Sequence, residues 1–129
     1  MFLHPWLLLS LADLSVRKMF FEHIKILNVV DGDTLDVEID LGFSIKVKQR
    51  LRLSRINTPE LRSSDPDLKA KALLAKNFLN DSLVDKSNIC LYTIKTEKYG
   101  RYLAEVYLKE VDGSLISIND LLLDNGLAD

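Results

Sequence analysis

The clearest pattern lies in residues 34–40, where Leu35, Val37 and Ile39 alternate with Asp36, Glu38 and Asp40. Side chains of an extended chain point alternately to its two faces, so this period of two predicts a strand with one buried and one acidic face. A second alternation fills residues 43–53, setting Phe43, Ile45, Val47, Leu51 and Leu53 against Ser44, Lys46, Lys48, Arg50 and Arg52. That strand carries a basic outer face. Apolar and β-branched residues predict one earlier strand over 20–30 and two later ones over 89–94 and 102–109. The period changes once: Leu68, Ala72, Ala75, Phe78 and Leu79 form a helical stripe over residues 66–80, leaving Lys69, Lys76 and Asn80 for water.

Breakers divide these runs. Asp31-Gly32 predicts a reversal before the acidic strand. Thr58-Pro59 ends the basic one, since proline cannot donate to a ladder and holds the preceding residue extended. Asp65-Pro66 is a helix start, an acidic cap followed by proline at the first helical position. Residues 96–101 read as a hairpin loop with Gly100 between aromatic and basic neighbours, and Asp112-Gly113 as a tight turn. Asn119 is expected to cap a short helix running through Leu122 and ending at Gly126. If the acidic and basic strands are neighbours, Lys46, Lys48 and Arg50 find their countercharges across the sheet. Arg52 stands apart because it lies nearest the turn at residues 57–60.

Composition adds bounds. A chain of 129 residues with 47% apolar and 28% charged residues is one domain with a sizeable core. Its net charge of -2 does not suggest a protein that coats DNA broadly, so any phosphate binding has to be local. Cys90 is the single cysteine, so no internal disulfide forms, and its place in a strand suits burial. Residues 1–19 read as an extension ahead of a domain over 20–129, with Trp6, Leu7, Leu8, Leu9 and Leu11 making an apolar run too short to span a bilayer. Ser10 and Ala12 have the spacing of a signal-peptide cleavage site, but no Lys or Arg precedes the run. The cytoplasm is slightly favoured, with secretion open if residues 1–12 act as a signal.

Two strand ends offer Asp33, Asn57 and Glu60, all oxygen donors, with Arg52 nearby. Such donors beside a guanidinium suit a calcium or magnesium ion that grips a phosphate. Val30-Asp31-Gly32-Asp33-Thr34, then Arg52 with Thr58-Pro59-Glu60, then Lys98-Tyr99-Gly100-Arg101 and lastly Asn125-Gly126-Leu127-Ala128 together resemble the staphylococcal nuclease (thermonuclease) family. The four pieces occur in the family's order. The resemblance implies a five-stranded, OB-fold β-barrel with helices, one main helix between strands 3 and 4 and a short C-terminal helix. It implies a calcium-dependent nuclease that hydrolyses phosphodiester bonds in DNA or RNA with little sequence preference, single strands preferred, working as a monomer.

Carried over by position, Asp33 resembles the calcium-binding aspartate, and Thr58 the residue whose carbonyl joins the ion. Glu60 is similar to the glutamate that orients or deprotonates the attacking water, and Arg52 and Arg101 to the two phosphate-holding arginines. Lys98 and Tyr99 are similar to a pair that contacts a terminal phosphate of the nucleotide. Asn57 stands where the family has a second metal-binding aspartate, so the resemblance implies a looser ion. The link from Glu60 to the helix is short, and the sequence lacks the final helix expected after residue 128. Each residue also has a plainer reading: Asp33 as a turn residue, Glu60 paired with Arg62, Arg101 as surface charge. The alternative function is a catalytically weak or inactive OB-fold nucleic-acid-binding module.

Overall fold

In the computed structural model, the residues described are 18–95 and 101–129, with the side chain of Lys95 left aside. Lys98 and Tyr99 therefore lie outside the described residues, as does the apolar run of residues 6–11. The described chain runs β1 (Lys18–Phe21), β2 (Ile24–Asp31), β3 (Thr34–Gly42), β4 (Ile45–Leu53), α1 (Pro66–Leu83), β5 (Ile89–Lys95), β6 (Tyr102–Lys109), β7 (Leu115–Ser117) and α2 (Ile118–Asp124). No helix among these residues is long and apolar enough to cross a membrane.

The strands make one mixed sheet in the order β1-β5-β6-β4-β3-β2, with β7 on β6. Its pairs are antiparallel except β4 with β6, which run parallel with Leu51 opposite Tyr102 and Arg52 opposite Leu103. A parallel pair needs a long crossover, and here it contains α1 and β5. The class is α+β with an OB-like arrangement, as expected, but with seven strands among the described residues instead of five. The expected first strand is two strands, because residues on either side of Glu22 and His23 pair with different partners: β1 with β5, β2 with β3. The three-residue β7 follows the Asp112-Gly113 turn and is too short for its alternation to stand out.

Leu35, Val37 and Ile39 face the core together with Leu51 and Leu53, as the alternation predicts, and the helices add Leu79, Leu83, Ile118 and Leu122. Helix α1 runs to Leu83, beyond the expected residue 80, and Leu83 is buried while Leu68 is 42% exposed. The stripe is thus displaced by most of a turn toward the C-terminus. Its start is as expected: Asp65 accepts from Asp67 N at 2.9 Å, with Pro66 first in the helix. Helix α2 is capped by Ser117, whose hydroxyl accepts from Asp120 N at 3.1 Å, and not by Asn119. Asn119 is fully buried and serves the sheet instead. Its Oδ1 accepts from Val106 N at 3.0 Å, while Nδ2 donates to Ser54 O at 3.0 Å and Ala104 O at 3.1 Å.

A candidate phosphate site at the ends of two strands

Asp33 stands in the two-residue turn between β2 and β3, and Arg52 is the register partner of Thr34 near the end of β4. The ladder continues one step past the register, Leu53 N donating to Asp33 O at 2.8 Å. Backbone pairing alone therefore brings the carboxylate and the guanidinium to one sheet end. Asp33 is buried, and its Oδ2 lies 3.2 Å from Arg52 Nη2. The same oxygen accepts from Thr58 N at 3.1 Å, and Oδ1 accepts from the Thr34 hydroxyl at 3.0 Å.

Beyond β4 the chain curls, with Arg55 in the left-handed region at φ 68°. The curl turns two carbonyls toward Arg52, whose Nη1 donates to Leu53 O at 2.7 Å and Ile56 O at 2.9 Å. Its Nη2 is left to face Asp33 and the Asn57 side chain, donating to Asn57 Oδ1 at 2.6 Å. A guanidinium fixed on one edge presents the other in a set direction, which is what bidentate phosphate recognition needs.

Three further ties hold the loop that follows. Asp31 Oδ1 accepts from Leu61 N at 3.3 Å. Asn57 and Asp129 exchange backbone hydrogen bonds in both directions, each 2.9 Å. Arg55 binds Glu105 through both carboxylate oxygens, one at 3.0 Å, and Asp120 Oδ1 at 2.8 Å, fastening the curl to β6 and α2. Glu105, and then Asp120, hold this guanidinium firmly in its charged form.

Glu60 is exposed and 3.3 Å from Arg62 Nη2. It lines, with Asn57, Thr58, Pro59, Arg62 and Asp129, an open cleft of about 480 Å³. Arg101 is exposed immediately before Tyr102, two residues ahead of the register partner of Arg52. Asp33, Arg52, Asn57 and Thr58 thus touch one another, Glu60 shares a cleft with the last two, and Arg101 enters the adjacent strand.

Asp31 was legible as a turn residue but not for its hold on Leu61 N, and Arg55 and Asp129 carried no signal of their own in the sequence, since each acts through a contact that only the fold makes. Gly32 was legible as a turn glycine but not for its packing. A Cβ there would lie 2.5 Å from Ala75 Cβ and 3.0 Å from Thr58 Cγ2, so the turn that carries Asp33 rests directly on α1.

The donors are all oxygens, a set that suits a hard divalent cation. Asp33 is the buried carboxylate, Asn57 adds an uncharged amide, and among the described residues no three His, Cys, Asp or Glu side chains converge. The buried hydroxyl oxygen of Thr58 has no hydrogen-bond partner, a spare oxygen on the same loop. The set fits such an ion, weakly held.

A small α+β domain with a braced arginine and an acidic turn at the ends of neighbouring strands is the class that fold and site define. The chain belongs to the staphylococcal nuclease homologue family, whose model matches residues 50–129. It is similar to an uncharacterised protein of Methanocaldococcus jannaschii, 30% identical over 123 residues, covering 81% of this chain and 56% of that protein. An uncharacterised protein of Bacillus anthracis is 35% identical over 104 residues, covering 79% and 44%. Protein ParB of Escherichia coli is 32% identical over 84 residues, covering 65% and 41%. The chain spans about half the length of these relatives.

Proposed function

We propose that the domain over residues 20–129 is a calcium-dependent nuclease that hydrolyses phosphodiester bonds in DNA or RNA, single strands preferred, with little sequence preference. The observation that carries this reading is the mutual contact of Asp33, Arg52, Asn57 and Thr58 beside the cleft lined by Glu60.

Phosphodiester hydrolysis places added negative charge on the equatorial phosphate oxygens as water attacks. Groups already aimed at those oxygens lower the barrier without reorganising. Arg52 is anchored through Nη1, and its Nη2, held between Asp33 and Asn57, turns to a phosphate oxygen when those two groups take the ion, while Arg101 supplies the second guanidinium. Glu60, open to solvent, orients the water and takes its proton at a carboxylate oxygen. Asp33, the Thr58 carbonyl and the Asn57 amide would hold calcium, which when bound supplies positive charge against the phosphate. Lys98 and Tyr99 contact a terminal phosphate in this reading.

Asn57 favours a second reading, in which the same site binds nucleic acid and cleaves it slowly or not at all, because the site has one charge fewer than two aspartates would give. Incubation of single-stranded DNA with the protein in calcium, in chelator, and with Glu60→Ala separates the two. Cleavage that needs calcium and falls by about a hundredfold or more in the variant is expected. Cleavage indifferent to both refutes the mechanism, and binding without cleavage selects the second reading.

A further inference from the structure

A second concavity, of about 570 Å³, lies between β2 and α1. Strand β2 ends the sheet order, so the groove follows a sheet edge, with the C-terminal half of α1 and residues 84–86 as its other wall. Lys25, Lys76 and Lys86 line it with Asn28, Asn77 and Asn80, and Asp85 is the one acidic lining residue. In a chain of net charge -2 this is a local excess of positive charge. Among the described residues, none of the three lysines lies within ion-pair distance of a carboxylate, including Glu38, the register partner of Lys25.

The groove joins the site through one contact. Ala75 packs on Gly32, Asp33 is the next residue of that turn, and Lys76 and Asn77 follow Ala75 in the helix. Lys76, Asn77 and Asn80 have the spacing that puts them on one helix face. Cations set apart along a groove suit a ligand with repeated negative charge better than a single small anion. Asn77 and Asn80 add uncharged donors for phosphate or base edges, and the half-exposed Leu27 adds apolar surface for sugar and base.

We propose that this groove binds the phosphodiester backbone of a single-stranded nucleic acid, holding nucleotides beyond those in the cleft of Glu60. The choice of polyanion rests on the nuclease reading. The groove lengthens the footprint of the domain without reading sequence.

The test is binding in chelator, where no cleavage occurs, so it is independent of catalysis. A labelled oligodeoxythymidylate of about twenty nucleotides and a trinucleotide are titrated by fluorescence anisotropy against wild type, a Lys25→Glu, Lys76→Glu, Lys86→Glu triple variant, and the milder triple Lys→Gln variant at the same positions. The long oligonucleotide should bind the charge-reversed protein about tenfold or more weakly, and the slope of log affinity against log salt should fall by about two, three lost phosphate contacts at ~0.7 each. Trinucleotide binding should not change. Equal losses for both lengths, or unchanged affinity and slope in the folded Lys→Gln protein, overturn the proposal. So does an acidic polypeptide that displaces the long oligonucleotide at equal charge, which would make the groove a protein-docking site. Failure of the nuclease reading instead shows as intact groove binding with no cleavage by wild type.

Discussion

Gly32 is where the smallest change has the largest reach. Its missing Cβ is the room in which Ala75 sits, 2.5 Å from where that carbon would be. Overpacking of this kind costs about 2 kcal/mol, and the Asp33 turn must shift to relieve it. Gly32→Ala should lower the urea midpoint accordingly, and Ala75→Gly in the same chain should recover part of the loss by removing the nearer obstacle. At Asn57 the change runs the other way. Its amide oxygen is held 2.6 Å from Arg52 Nη2, so Asn57→Asp keeps the shape and adds a charge beside Asp33. Calcium binding measured by calorimetry should tighten by about tenfold or more, the effect of a further carboxylate on a hard cation. Weaker or equal binding would mean that the added carboxylate is spent on Arg52.

Pairing of whole strands shows how much the alternation conveyed. The acidic face of β3 does meet the basic face of β4, with Asp36 opposite Arg50, Glu38 opposite Lys48 and Asp40 opposite Lys46. Asp36 and Arg50 make a two-pronged pair at 2.8 and 3.1 Å. The guanidinium holds the Asp36 carboxyl below its ordinary value, aided by a hydrogen bond with Asn28. A carboxyl with a lowered folded-state value stabilises the fold fully above its unfolded value, roughly pH 4, and loses that contribution as pH falls further. Arg50→Gln should therefore be less stable than wild type near neutral pH, and the gap in urea midpoints should close as pH is lowered toward about 2. What the strand pattern could not convey was where β1 ends and β2 begins, because both are apolar and the break is defined by their partners. The extra turn of α1 escaped for a related reason: Leu83 is buried by the sheet that it meets, not by any property of residues 81–83.

For the molecule as a whole, the turn residues and strand ends were legible and the ties that close the site were not. Asp33, Arg52 and Thr58 could be read because they sit at breaks in alternation, where local chemistry is visible. Arg55, Asn119 and Asp129 act across the fold, and Asn119 looked like a helix cap because asparagine is common there. Its three buried hydrogen bonds join β6 to the curl after β4 and to α2. Asn119→Ala takes the side-chain partner from Val106 N and Ser54 O, while Ala104 O keeps its bond from Ser54 N, and should cost about 3 kcal/mol in chemical denaturation, with loosened amide exchange at Val106. Unchanged exchange there would show that water replaces the side chain.

The exchange of hydrogen bonds between Asn57 and Asp129 has a consequence for timing. A polypeptide still emerging from a ribosome cannot make this last tie of the loop beside Arg52 until residue 129 has cleared the tunnel. Until then the loop that carries Asn57 lacks its tie to residue 129, so the surroundings of Arg52 are completed only after every strand of the sheet has emerged.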